Sequence, residues 1–166
     1  MTLRTFTEKD SESLSLLEQE AFASSDDVTL DFSEYMRKNN RYLPELDLVA
    51  EEDGGICGHV LVTAQPMACP SGEIEVLYLA PLFVIEKLRG RGIGSALVKE
   101  VLHRCSDLGY GAVFAVGDPG YYGRFGFHPA SEFGFCAGEE LSGSMLLALE
   151  LLPGYFNKLH ETKNGE

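Results

Sequence analysis

The run Val84-Ile-Glu-Lys-Leu-Arg-Gly-Arg-Gly-Ile-Gly-Ser-Ala-Leu-Val98 constrains this chain more than any other stretch. An apolar strand pattern runs into a glycine-rich turn, and the turn opens a segment with apolar residues at helical spacing. The first amides of a helix have no intrahelical partner, and the helix dipole favours negative charge there. Gly90, Gly92 and Gly94 allow a tight turn and leave their amides bare. Arg89 and Arg91 put guanidinium groups in the same turn, where they suit phosphate oxygens. These residues predict a phosphorylated cofactor at a strand-to-helix junction; the alternative is a tight turn that binds nothing.

Spacing selects among cofactors. A dinucleotide fingerprint needs Gly-x-Gly-x-x-Gly, yet counting from Gly90 or Gly92 puts Ser95 or Leu97 at the third glycine, and no Gly-x-x-x-x-Gly-Lys-Ser/Thr occurs. Both nucleotide readings fail. What remains is Arg89-x-x-Gly92-x-Gly94, of the form Gln/Arg-x-x-Gly-x-Gly/Ala. Here the chain resembles the GNAT acetyltransferases, which hold acyl-coenzyme A at this motif. A second motif lies in Gly117-Asp-Pro-Gly-Tyr-Tyr-Gly-Arg-Phe-Gly-Phe127, where Tyr122 stands four residues before Gly126-Phe127, as a family tyrosine does after the fifth strand. With Leu79-Ala-Pro-Leu-Phe-Val84, this wording resembles a bacterial subgroup of N-acetyltransferases. The resemblance is specific over residues 73–130, and Leu3-Arg4 and Asp10 suit the usual family opening.

At 166 residues the chain suits one domain, 1–166, with a frayed polar tail over 157–166. Its formal net charge of −13 argues against nucleic acid bound through a general basic surface and suits a cationic or amine substrate, although such charge also serves plain solubility. Four cysteines show no Cys-x-x-Cys pair and four histidines no zinc-like spacing, so no metal site is expected. Cys57 and Cys105 fall in a predicted strand and helix, which favours reduced thiols over disulfides; with no apolar leader or membrane-length apolar run, a cytoplasmic protein that binds no membrane is expected.

Along the chain, the patterns predict a strand over 3–6 and a helix capped by Asp10 that carries Leu14, Leu16, Leu17, Ala21 and Phe22. A short second helix would place Phe32, Tyr35 and Met36 on one face. Strands over 46–51 and 56–65 meet at a Glu52-Asp-Gly-Gly55 hairpin. A long strand over 74–84 should bulge or bend near Pro81, followed by a helix over 94–106, a buried strand over 111–116 and a segment over 144–151 that fits strand or helix by pattern and is read as a strand. The resemblance implies an α/β (α+β) fold, a mixed sheet of about six or seven strands flanked by helices, with two splayed parallel strands holding the cofactor.

The resemblance further implies that Leu82, Phe83 and Val84 meet the acetyl group and pantetheine, with an oxyanion donor among the backbone amides near Val84. Arg89, Gly90, Arg91, Gly92, Ile93, Gly94 and Ser95 would hold the pyrophosphate. Tyr122 would protonate the departing thiolate, a role an ordinary phenol can fill; the alternative is packing, like Tyr121. The glutamate that some members carry eleven positions before the glycine-turn motif is Tyr78 here. Glu75, Glu73 and Glu51 are alternative bases, each better read as a solvent-facing strand residue; ordered water can also take the proton, and His59 and His128 read as structural. The implied activity is transfer of an acetyl group from acetyl-coenzyme A to a primary amine of a small molecule or protein, with an acyl-coenzyme A-binding module lacking turnover as the alternative. The residues leave open a homodimer.

Overall fold

The computed structural model describes residues 1–24, 32–69, 71–135 and 145–161. Its elements are β1 (Thr2–Thr5), α1 (Ser11–Ala21), α2 (Phe32–Arg37), β2 (Asp47–Glu52), β3 (Gly55–Cys69), β4 (Gly72–Val84), α3 (Ile93–Asp107), β5 (Ala112–Gly117), α4 (Pro119–Tyr122), β6 (His128–Pro129), β7 (Met145–Glu150) and α5 (Tyr155–Glu161). The strands form a seven-stranded mixed sheet in the order β1-β2-β3-β4-β5-β7-β6, flanked by helices. Contacts divide the chain into two compact units, Met1–Thr63 with Ala80–Arg104, and Ala64–Leu79 with Cys105–Glu166.

In the first unit, β1 and β3 each pair antiparallel with β2. The β2–β3 turn is the two residues Asp53 and Gly54, both at positive φ (51° and 79°), which suits the right-handed strand twist. The register then shifts at Ala50/Glu51, a bulge that sets which side chains of β2 and β3 share a face. Helix α1 buries Leu14 against Phe6, Val49 and Phe83, with Leu17, Ala21 and Phe22 packed around them. Leu16, two residues and about 200° around the helix from Leu14, is exposed. In α2 the inward pair is Ser33 and Met36, one turn apart; Tyr35 is 70% exposed and does not share the face expected of it. On α3, Leu97 and Ile93 come so close to β3 that a Cβ on Gly58 would lie 3.1 Å and 3.3 Å from them.

In the second unit, β4 and β5 pair in parallel over Leu77–Leu79 against Val113–Ala115, and the ladder stops there although β4 runs on to Val84 and β5 to Gly117. Its core is aromatic: Phe114, Phe135 and Phe156 meet edge to face at 5.1–5.8 Å over Val76, Ala112, Ala130 and Ala148. The tail expected to fray from Asn157 instead continues α5 to Glu161. Glu150 at the end of β7 accepts from the amides of Gly154 (3.3 Å) and Phe156 (3.0 Å), capping the helix. Phe156 is buried, at about 1.5–3 kcal/mol for a side chain of this kind. Residues 162–166 lie outside the described residues. Among the described residues no helix is long and apolar enough to cross a membrane.

The start of α1 shows how charge supports this frame. Asp10 makes no side-chain cap to α1 itself. Its carboxylate accepts from the amide and hydroxyl of Thr7 (2.8 and 3.1 Å) and from both terminal nitrogens of Arg4 (2.7 and 2.8 Å). The Arg4 hydrogen bonds, against the opposing effect of burial, hold the Asp10 carboxyl well below the usual carboxylate range. A depressed folded-state pKa gives stability that is present at neutral pH and lost progressively as pH falls below about 4. Asp10→Asn is expected to lower the unfolding free energy by about 1–3 kcal/mol at pH 7, with the difference from wild type narrowing towards pH 2.5. Urea titrations across that range check it; a difference independent of pH would exclude the charge as its cause.

Candidate active site

The strand-to-helix junction forms as the glycines require, with one change in role. After β4, Ile85 donates its amide to the Cys57 carbonyl at 2.9 Å, and Glu86–Leu88 make a single 3-10 turn. That bond removes the Ile85 amide from the oxyanion donors expected near Val84. Gly90 and Gly92 adopt left-handed backbone (φ 78° and 84°), where an L side chain is strained, and a Cβ on either would meet nothing within 4 Å. Gly92 accepts the amide of Ala96 (3.0 Å) and so opens α3, while Gly94 is already helical and needs no special conformation. The turn therefore presents unpaired first-turn amides beside open space, a cradle that fits a pyrophosphate.

Arg89 donates its Nε to the Val84 carbonyl at 3.0 Å, tying the turn back to the end of β4. The side chain expected to meet phosphate thus also closes the loop. Arg91 is exposed and, with Lys87, lines a cavity of about 370 Å³ opposite Glu52 and Asp53. A second cavity of about 560 Å³ is lined by Leu17, Glu20, Ile85, Glu86 and Lys87. Leu82 and Val84 are half-buried, whereas Phe83 is 5% exposed, so its side chain belongs to the core.

In the second unit, Tyr122 ends α4. Asp118 caps that helix by accepting from Gly120 at 2.8 Å, and Pro119 occupies the first position. The Tyr122 ring lies over Gly117, where a Cβ would come within 2.5 Å of Cε2, and meets Tyr121 and Phe127 at 5.1 and 5.5 Å. Its hydroxyl makes no hydrogen bond to a described residue. Burial, with smaller contributions from Tyr121 and Tyr78, pushes the phenol up to about 12, so the group keeps its proton at neutral pH.

A third cluster was not anticipated. Asp47, with no exposed surface, accepts from His59 Nε2 (2.7 Å), Arg37 Nε (2.7 Å) and the Tyr42 hydroxyl (2.8 Å). Burial works to raise the Asp47 carboxyl, but the His59 and Arg37 hydrogen bonds outweigh it and hold the group below its ordinary range. Without the bulge at Ala50/Glu51, Asp47 and His59 would face opposite sides of the hairpin, so the hairpin pattern alone hides the pair.

Residues 11–128 match the Acetyltransferase (GNAT) family. The chain belongs to the GNAT acetyltransferase family. It is 32% identical over 148 residues to the uncharacterized N-acetyltransferase YjhQ of Escherichia coli K12, a match covering 84% of this chain and 76% of that protein. It is 40% identical over 87 residues to YhbS of the same organism, 52% of this chain and about half (51%) of the curated relative. The crystal structure of Escherichia coli YhbS in complex with CoA superposes with a TM-score of 0.79 at 27% identity, covering 94% of this chain and 84% of that one. A Brucella melitensis GNAT acetyltransferase in complex with acetyl-CoA gives a TM-score of 0.70 at 25% identity, covering 92% and 88%.

The candidate bases of this GNAT chain are placed as follows. Tyr78 pairs across the ladder with Phe114, and burial raises its phenol. Glu73 and Glu75 are exposed on β4, and Glu51 accepts from Arg4 Nε at 2.7 Å. His59 is committed to Asp47, and His128 is exposed with Glu132 3.5 Å away. Among the described residues, no group of three His, Cys, Asp or Glu could hold a metal, and Cys57, Cys69 and Cys105 are free thiols; Cys136 lies outside them. Because the Tyr122 ring occupies the space a methyl would need, Gly117→Ala is expected to displace it, costing about 1–3 kcal/mol of stability. The Tyr122–Phe127 NOEs should weaken in the variant; an unmoved ring would show that the contact does not set its position.

Proposed function

We propose that the chain is an acetyl-coenzyme A-dependent N-acetyltransferase acting on a primary amine of a small molecule or protein, and that residues 1–166 work as one catalytic domain. The observation that carries this reading is the cradle at Gly90 and Gly92, left-handed, open on its Cβ side and leading directly into the first turn of α3. Family membership over 11–128 supports it, as do the CoA and acetyl-CoA complexes of two structural relatives. The cofactor would supply a thioester acyl group. On this reading the amides around Gly92, Ile93, Gly94 and Ser95, with Arg89, Gly90 and Arg91, hold its pyrophosphate, and the backbone of Leu82, Phe83 and Val84 orients its pantetheine arm.

Tyr122 is the proposed proton donor to the departing thiolate. The phenol is protonated at neutral pH, as it would be without the upward shift, and its hydroxyl is not held by a described residue. No carboxylate stands at the position of the family glutamate, so we assign deprotonation of the amine to ordered water. The buried free thiols of Cys57 and Cys105 support a cytoplasmic location.

A screen of amines against acetyl-coenzyme A, read as released thiol, tests the activity directly; acetyl-coenzyme A binding with no acceptor turned over would favour the binding module. Gly92→Asp should abolish coenzyme A binding in a folded protein, since its carboxylate faces the phosphates and costs several kcal/mol in a partly desolvated site. Unchanged calorimetric affinity would refute the placement. Tyr122→Phe keeps the ring and removes the proton, so kcat should fall on the order of a hundredfold with a nearly unchanged Kd for acetyl-coenzyme A. Wild-type turnover with chemistry rate-limiting would return Tyr122 to a packing role.

A further inference from the structure

A buried ionic cluster is weak evidence for stability, because desolvation offsets most of the attraction and well-packed apolar residues often serve as well. The Asp47 cluster is also incomplete as a structural device. His59 has no exposed surface, its Nε2 is committed to Asp47, and its Nδ1 is buried without a partner in the structure described. A cluster of this kind calls for a reason other than stability.

That reason lies on the other side of the imidazole. The His59 ring packs on the ring of Phe83 with centroids 5.8 Å apart, and Phe22 closes on Phe83 edge-on at 5.9 Å. The Phe83 carbonyl faces Gly58, where a Cβ would stand only 3.1 Å away. Phe83 is therefore boxed in by His59, Phe22 and β3. The orientation of His59 is set in turn by Asp47 Oδ1, while Arg37 Nε and the Tyr42 hydroxyl hold Asp47 Oδ2 at 2.7 and 2.8 Å. Arg37 is itself clamped, its guanidinium 3.7 Å from the centroid of Phe6. A chain of contacts, hydrogen bonds as far as His59 and a ring contact beyond it, runs from α2 and Tyr42 through Asp47 and His59 to the middle residue of the Leu82, Phe83, Val84 segment.

We propose that Asp47 and His59 are positioning residues: the cluster holds the end of β4 in the backbone geometry that receives the cofactor arm. This rests on the assignment of Leu82, Phe83 and Val84 to cofactor binding. Recognition by main-chain groups cannot be adjusted by side-chain rotation, so the strand itself must be held to within about 0.5 Å.

Two readouts test the inference, one of them independent of any ligand. In His59→Leu, which removes the donor to Asp47, amide hydrogen exchange at Leu82, Phe83 and Val84 should accelerate at least about tenfold while the central amides of α3 keep their protection. Calorimetric affinity for coenzyme A should weaken by about tenfold in the folded protein. His59→Gln keeps an N–H donor towards Asp47 and should recover most of both effects despite its lost ring contact. Tyr42→Phe removes one donor from the edge of the cluster, so it should fold and show the same changes in smaller measure, which covers the case in which His59→Leu does not fold. Unchanged exchange at 82–84 in folded variants overturns the inference, and so does faster exchange with wild-type affinity. If the wild-type protein binds no coenzyme A, the cofactor assignment fails and this role for the cluster fails with it, whereas coenzyme A binding with unaltered variants removes the inference alone.

Discussion

A carboxylate without access to water must collect its donors from the chain, and Asp47 organises the first unit on that account. Three side chains converge on it, from α2, from the segment after α2 and from β3. A buried charge stripped of one partner is costly, of the order of 3–5 kcal/mol, so these elements are held in one arrangement rather than several. Their convergence depends on one extra residue in β3: the bulge opposite Ala50/Glu51 rotates the far part of the hairpin so that Asp47 and His59 share a face.

The proposed chemistry draws mainly on the backbone. Left-handed glycines, unpaired first-turn amides and the end of β4 would bind the cofactor, and one phenol, protonated at neutral pH, would complete the leaving-group step. Such a site leaves few side-chain signatures. Two of the groups that surround it serve the frame as well, since Arg89 Nε closes the turn onto Val84 and the Ile85 amide is spent on Cys57. The Tyr122 motif works by similar local means: Asp118 and Pro119 start a single helical turn, and Gly117 leaves the space into which the ring folds.

Local rules account for most of what was legible. The Asp53-Gly54 turn, the opening of α3 at Gly92 and the strand expected over 111–116 and found over Ala112–Gly117 follow from backbone preferences that act within a few residues. Where the expectation failed, a distant partner had intervened. The i, i+3, i+4 spacing puts Phe32, Tyr35 and Met36 on one helix face, yet the buried position beside Met36 goes to Ser33, whose amide donates to the Glu18 carboxylate of α1 at 3.3 Å. The last helix escaped notice because its cap, Glu150, sits on a strand, and because a single phenylalanine, Phe156, anchors an otherwise polar segment in an aromatic core.

The amino-acid sequence by itself determined the glycine turn and the helix it opens, the hairpin, the position of Tyr122 before Gly126-Phe127 and family membership, because these depend on conformational freedom and short spacing. Only the tertiary structure decided the partners of Asp47, the second role of Arg89, the raised phenol of Tyr122 and the capping of α5. The Arg89 and Glu150 bonds span only four to six residues and need the turn and the strand end already in place, whereas the Asp47 partners and the Tyr122 phenol are matters of long-range register and of burial. Neither quantity exists until the sheet has formed: one extra residue in a strand reverses which side chains meet, and a phenol changes its acidity only when other side chains displace its water.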